Sequence, residues 1–210
     1  MKSKTLNVFL ICTFVINSIF AQETEEIISV ASYIESTELN ASPVDVITAE
    51  EFKNLRVSTV AELSKYLSVA SGSHFQTNAL DGVDQGMATI TLRGMDHAST
   101  LVLINKKRQT HAGTPSNDGE GYIDINIIPE IALNRIEILK DGATSLFGSD
   151  AVAGVINFQT YQSFDGMRLS LGSQKTSNYG QRDDSIGALF GGEGFGGSYV
   201  FALSALNKSS

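Results

Sequence analysis

Residues 134–160 decide the fold of this chain; they read Asn134-Arg135-Ile136-Glu137-Ile138-Leu139-Lys140-Asp141-Gly142-Ala143-Thr144-Ser145-Leu146-Phe147-Gly148-Ser149-Asp150-Ala151-Val152-Ala153-Gly154-Val155-Ile156-Asn157-Phe158-Gln159-Thr160. Apolar residues indicate a strand near each end, through Ile136 and Ile138 first and through Val155 and Phe158 later. Between these strands the turn residues Asp141-Gly142, Gly148-Ser149 and Gly154 divide the stretch. The sequence here predicts two short strands that flank one tight helical turn.

Four earlier phrases precede this stretch in a fixed order. They are residues 43–52 (PVDVITAEEF), 89–94 (TITLRG), 100–108 (TLVLINKKR) and 124–131 (DINIIPEI). Together with residues 134–160 they closely resemble the plug domain of TonB-dependent outer-membrane receptors, which carries an opening strand and helix, an arginine-glycine strand, an "LVLING(K/R)R" strand, a "DLNxIP" phrase and a final "GVIN" strand. Each phrase alone is weak, but five in the family's order over about 120 residues make a specific match.

The resemblance implies an α+β fold over residues 37–162, with a small mixed sheet and short helices. The residues themselves support two helices. Thr48 and Glu51 form a capping box, which predicts a helix that ends near Leu55. Thr59 and Glu62 repeat this spacing, and Val60, Leu63 and Leu67 would then form one face of a second helix that packs on the sheet. Residues 88–92 and 101–104 are predicted strands, and residues 72–86 and 109–122 are predicted exposed loops.

The tail, residues 163–210, has a different pattern. Met167, Leu169 and Leu171 alternate with polar or small residues, and two later runs repeat this alternation: Ile186, Ala188 and Phe190, then Tyr199, Phe201 and Leu203. Alternation in segments of about ten residues is typical of a transmembrane β-barrel. An ordinary antiparallel sheet is the alternative, and the plug-like sequence upstream favours the barrel. At most three strands fit before the last residue, so we expect the first antiparallel strands of an incomplete barrel.

The N-terminal residues predict export and coupling. Residues 1–22 have the charges, apolar run and small-residue end of a signal peptide. Residues 23–36 would then be periplasmic, and their apolar centre resembles the TonB box, which would bind TonB by strand addition. A frayed terminus is the alternative. The coupling residues would be Ile27, Ile28, Ser29, Val30 and Ala31.

Composition excludes several classes of function. The chain has 210 residues, 42% hydrophobic, and a net charge of −8; without a basic stripe it is a poor nucleic-acid binder. Its single cysteine, Cys12, lies in the predicted signal peptide, which excludes disulfides and thiol chemistry from the exported chain. The three histidines lack ligand spacing, and no nucleophile elbow or phosphate loop is found. We therefore expect no catalytic residue, no metal and no cofactor.

The resemblance also implies two kinds of site. In the family, the loops at residues 72–86 and 109–122 face the bound ligand from inside the barrel, although loops carry polar residues in any case. Arginines at the positions of Arg93 and Arg135 pair with glutamates of the barrel wall and lock the plug in place; local pairing with Glu130 or Glu137 is the alternative, because a buried charge needs a partner. The candidate ligand-facing residues are His74, Phe75, Gln76, Asn78, Asp81, His111, Asn117 and Asp118.

The function implied is that of a plug that gates an outer-membrane barrel, helps to bind a scarce extracellular ligand and couples to TonB for energised uptake. Its partners would be TonB, the rest of its own barrel, a small-molecule or oligomeric nutrient and the outer membrane of a Gram-negative bacterium. Two other classes stay open: a free periplasmic plug-like binding module, and a small exported enzyme. Lipid-facing alternation in the tail distinguishes the receptor from the free module.

Overall fold

A computed structural model describes residues 44–57, 59–75, 86–116, 119–175, 182–194 and 196–209 of the chain. The first part of these residues forms a mixed five-stranded sheet, and the last part forms three long antiparallel strands. Throughout the described ranges, no helix has the length and apolar character needed to cross a membrane.

The mixed sheet has the strand order β1-β6-β7-β4-β5. Neighbouring strands are antiparallel except β4 and β7, which run parallel, with Val102 opposite Ile156. Both strands predicted from residues 134–160 are present as β6 and β7, and they lie side by side in the centre of the sheet. The strands are β1 Val44–Thr48, β4 Thr100–Ile104, β5 Lys107–Arg108, β6 Leu133–Leu139 and β7 Gly154–Thr160.

The first helix, α1, follows β1 directly and spans Ala49–Leu55. The Glu51 amide donates to the Thr48 hydroxyl (3.3 Å), and the Glu51 carboxylate accepts from the Thr48 amide (2.9 Å). This is the predicted capping box, and it satisfies two amides that a helix start leaves without partners. The predicted helix and its end at Leu55 are confirmed.

Three local predictions are wrong. The second helix is a 3₁₀ helix, η1 Val60–Lys65, which ends before Leu67; its amides bond three residues back, as from Glu62 to Thr59, and this tighter winding suits short segments. The strand predicted over residues 88–92 stops early, as β3 Ala88–Thr89. Its partner, β2 His74–Phe75, lies where an exposed loop was predicted.

A tight hairpin joins β4 to β5 through Asn105 and Lys106. Both residues have positive φ, 51° and 65°, as a type I′ turn requires. Two residues of β7 hold this turn in place. The Thr160 amide donates to the Asn105 side chain, and the Lys106 amide donates to the Asn157 side chain (both 2.9 Å). Lys106 therefore occupies a left-handed position that glycine adopts more easily.

The sheet has an apolar cluster on each face. The larger cluster joins alternate residues of β6 and β7, such as Ile136 and Phe158, to Phe52 of α1 and Leu63 of η1. The smaller cluster joins Leu103 and Val155 to the turn segment that follows β6. That segment contains the short helix α2 Thr144–Phe147 and the 3₁₀ helix η5 Ser149–Ala151. It is the tight helical turn predicted between the two strands.

The last strands are β8 Gly166–Lys175, β9 Arg182–Gly194 and β10 Gly197–Ser209, in the order β10-β9-β8. We call this sheet the wall sheet. Cross-strand partners include Met167 with Phe190 and Phe190 with Phe201. These three side chains share one face and stay exposed, as do Leu169, Leu171, Ile186 and Leu203. One face of the wall sheet is thus an apolar surface, as the alternation predicted.

Candidate functional site

Arg93 lies in a turn after β3, with φ of 59°, and not in the strand predicted for it. Its Nε donates to the Ala153 carbonyl (3.2 Å) and its Nη2 donates to the Val152 carbonyl (3.0 Å). Both carbonyls immediately precede β7, so Arg93 fixes the start of that strand. The side chain is exposed rather than buried among apolar neighbours. Its guanidinium is therefore accessible on the surface beside the mixed sheet.

Arg135 lies in β6, as predicted, and its Nη2 is 3.1 Å from Glu137 Oε1. The two residues are two apart on a strand, so their side chains share a face. The Arg135 side chain is 17% exposed and the Glu137 side chain is 0% exposed. Local pairing, which was the alternative to a wall contact, is therefore present, and the lock between Arg135 and the barrel stays a prediction.

A polar network surrounds the buried Glu137 carboxylate. Asn157 Nδ2 donates to its Oε2 (3.0 Å), and Gln159 Nε2 donates to its Oε1 (2.7 Å). Through Asn157 the network reaches the Lys106 amide in the hairpin turn. Burial of a carboxylate is tolerated when it is paired and hydrogen-bonded in this way. The alternation of Arg135 and Glu137 with Ile136 and Ile138 was the signal that could have located this polar face.

The two candidate ligand-facing histidines, His74 and His111, are each brought near His97. The rings of His74 and His97 meet edge to face, with centroids 5.1 Å apart, and His97 Nδ1 is 3.3 Å from the Thr89 hydroxyl. His97 and His111 line one small pocket beside β4, together with Arg108 and Asp150. Sequence spacing gave no reason to group these histidines. Within the described ranges no three His, Cys, Asp or Glu residues are placed to hold a metal ion.

Arg108 and Asp150 form an exposed ion pair at the rim of this pocket, with Nη1 and Oδ2 2.5 Å apart. The Arg108 Nη2 also donates to the Phe147 carbonyl, so the arginine joins β5 to the α2 turn. Hydrogen bonds from Ser149 and then from Arg108 hold the pKa of Asp150 below its usual range. The Asp150 carboxylate therefore stays ionised at neutral pH, and its bond to Arg108 joins the turn to the hairpin.

Several predicted site residues lie outside the described residues, or are described only in part. The coupling residues Ile27, Ile28, Ser29, Val30 and Ala31 lie outside, and so does the whole of residues 1–43. Phe75 is placed as the second residue of β2. The remaining candidate ligand-facing residues outside the described ranges are Gln76, Asn78, Asp81, Asn117 and Asp118.

The plug-like sheet meets the wall sheet at the 3₁₀ helix η4, Glu130–Ala132. A Cβ added at Gly187 of β9 would lie 3.4 Å from Ile131 side-chain atoms, so the glycine allows the wall strand to approach closely. Farther along the wall, Gln174 Nε2 donates to the Arg56 carbonyl (3.0 Å). The three wall strands are thus packed on the preceding domain through backbone as well as side chains.

The comparisons with known proteins identify the class of protein. Residues 37–155 match the TonB-dependent Receptor Plug Domain family, which is more than half of the chain. The chain therefore belongs to this family. The predicted fold, a mixed sheet with short helices followed by antiparallel strands, is confirmed by the family match and by the strand order described above.

Three similar proteins illustrate the match. An iron-regulated outer membrane virulence protein of Vibrio cholerae serotype O1 is 32% identical over 149 residues, 68% of this chain and 22% of that protein. The vitamin B12 transporter BtuB of Vibrio vulnificus is 27% identical over 195 residues, 82% of this chain and 31% of the transporter. The crystal structure of the siderophore receptor PirA from Acinetobacter baumannii has a TM-score of 0.56 and 26% identity, over 78% of this chain and 24% of that receptor.

This chain spans about a fifth to a third of the length of these relatives. The three are an outer-membrane protein, a transporter and a receptor, and none is an enzyme. These names agree with the prediction of a transport-related protein of the outer membrane.

Proposed function

We propose that this chain is the plug portion of a TonB-dependent outer-membrane receptor, in which it closes the barrel and moves when TonB pulls its N-terminal segment. One observation carries the proposal: the mixed sheet packs through η4 against β9 and β10 of the wall sheet, whose opposite face is an exposed apolar row. An apolar row of this kind suits contact with lipid. A free periplasmic module would leave it in water, which disfavours that alternative.

The proposed arrangement along the chain begins with a signal peptide at residues 1–22 and a periplasmic segment at 23–36. The plug at 37–162 and the first barrel strands at 163–210 follow. TonB would bind residues 27–31 by adding a strand, because main-chain hydrogen bonds then supply the affinity and side chains matter little. The position of this segment directly after the signal peptide, and before a domain of the plug family, supports the assignment.

The proposed ligand is a scarce small-molecule nutrient of the ferric-siderophore or corrinoid kind. The support is that the similar proteins include a siderophore receptor and a vitamin B12 transporter. His74 contacts His97, and His111 lines the same pocket as His97, on the part of the plug where the neighbouring loops would face the ligand. Hydrogen-bonding groups on such loops orient a polar ligand, while the barrel supplies the rest of the site.

The test uses the complete receptor in a Gram-negative host with and without TonB. Val30→Pro removes a backbone N–H donor from the coupling segment, so we expect ligand binding to cells to be unchanged and energised uptake to be lost. Thr24→Pro, which lies before that segment, is the matched control and should keep normal uptake. Ferric siderophores and vitamin B12 are the probes. Normal uptake by the Val30→Pro variant would refute the coupling assignment.

A further inference from the structure

The contact between plug and wall contains a carboxylate that the proposed function does not use. Glu130 begins η4, the helix on which β9 and β10 pack. The Ser170 side chain of β8 is near enough to its carboxyl to lower the carboxyl pKa. The neighbouring Ile131 lies against Gly187 of β9. Glu130 therefore lies at the contact between the plug and the wall sheet, beside β9 and β10.

The environment of Glu130 disfavours its charged form. The Oε2 atom is buried and has no hydrogen-bond partner, although an ionised carboxylate offers lone pairs on both oxygens. The carboxylate of Glu62, from η1, acts on it as a second negative charge. Burial first, and then Glu62, raise the pKa of Glu130 to about 7, while the hydrogen bond with Ser170 partly opposes the rise.

Among the described residues, no cation lowers the pKa of the Glu130 carboxyl to offset this effect. The charge acting on its carboxyl is that of Glu62, whose own Oε1 is 3.4 Å from Lys65 Nζ. On β8, Arg168 lies over the rings of Tyr161 and Phe164. The other titratable residues of the described wall strands, up to residue 207, lie three or more positions along their strands from the row formed by Ser170, Gly187 and Ser204. They are Lys175, Arg182, Asp183, Asp184, Glu193 and Tyr199.

We propose that Glu130 makes the contact between plug and wall sheet proton-dependent: the protonated carboxyl fits the junction with Ser170, and the ionised carboxylate weakens it. When the contact separates, Glu130 enters water and its pKa returns towards the ordinary value of 4.5. Between that value and about 7, the docked state alone holds the proton, so rising pH favours separation. The contact is tightest at pH values below the ordinary pKa of Glu130 and weakest at pH values above its raised pKa.

Hydrogen exchange of the full chain in detergent micelles tests this proposal. The readout is the protection of the β8 amides, residues 166–175, corrected for intrinsic exchange rates, at about pH 5 and about pH 8. Full linkage would permit a change of about 70-fold between these two pH values; because Glu130 is only partly buried, we expect a loss of about tenfold at the higher pH. Glu130→Gln, which mimics the neutral carboxyl, should keep high protection at both pH values. Glu193→Gln, an exposed control on β9, should retain the pH dependence.

A carbon-13 NMR titration of the Glu130 carboxyl gives an independent result. We expect a midpoint near 7, shifted down in Glu62→Gln because the like charge is removed, and shifted up in Ser170→Ala because a donor to the carboxylate is lost. A midpoint near 4.5, or equal pH dependence of β8 protection in the parent chain and in Glu130→Gln, would overturn the proposal. Neither measurement depends on TonB or on ligand, so a failure here is distinct from a failure of the proposed function.

Discussion

Gly154 is the residue at which a single methyl group should do the most damage to the plug. Its φ is 139°, a conformation that L-residues rarely adopt, and an added Cβ would lie 2.3 Å from the Leu139 carbonyl oxygen and 2.7 Å from a Leu92 methyl. Backbone strain of this kind costs about 1–3 kcal/mol, and overpacking of a tight core adds about 1–3 kcal/mol. We therefore expect Gly154→Ala to lower the free energy of unfolding by about 4 kcal/mol, a large part of the stability of a typical domain.

Urea unfolding of the chain from residue 23 in mild detergent, followed by far-UV circular dichroism, measures this loss. Two controls separate its causes. Gly86 has φ of 82° and nothing within 4 Å of an added Cβ, so Gly86→Ala should cost about 1 kcal/mol through strain alone. Gly113 has open space and no positive φ, so Gly113→Ala should cost almost nothing. If Gly154→Ala lowers the free energy of unfolding by no more than Gly86→Ala does, then β7 does not approach the Leu139 carbonyl as closely as the structure shows.

Three further predictions concern the same unfolding assay. Lys106→Gly should raise stability by about 1 kcal/mol, because glycine fits the left-handed turn position, whereas Lys107→Gly in β5 should lower it. Arg135→Ala should cost about 3 kcal/mol by leaving the buried Glu137 carboxylate without its cation; no loss in a plug without its wall would indicate that the arginine acts on the barrel instead. Asp150→Asn should reduce the loss of stability between about pH 5 and about pH 2, because a carboxyl with a lowered pKa stabilises the fold only while it is ionised. If the parent chain and the variant lose the same stability over this pH range, this prediction is wrong.

The sequence predicts an element correctly where residues within a few positions determine it. The capping box of Thr48 and Glu51 acts within four residues, and α1 begins and ends as it predicts. The same spacing at Thr59 and Glu62 caps η1, but a cap does not distinguish an α-helix from a 3₁₀ helix. The turn at Arg93 was mistaken for strand because its apolar neighbours are buried by tertiary packing, and burial alone produces the same apolar pattern as a strand.

Features that depend on distant segments could not be predicted from one sequence. The parallel pairing of β4 with β7 joins residues about fifty positions apart, and strand spacing carries no information about such a partner. The grouping of His74, His97 and His111 and the junction at Glu130 also arise only when loops and wall strands are placed. In contrast, the outward apolar row of the wall sheet follows from the alternation alone, since side chains of a strand alternate between faces.

We propose that this domain closes the barrel of an outer-membrane receptor. Single-channel conductance in planar bilayers tests it most directly, with the complete receptor compared to the same receptor lacking residues 44–160. We expect no steady conductance from the complete receptor. We also expect none from the 210-residue chain alone, because the three wall strands that the structure describes are too few to close a barrel. The receptor without its plug should form a large open pore. Equal conductance with and without residues 44–160 would contradict the account.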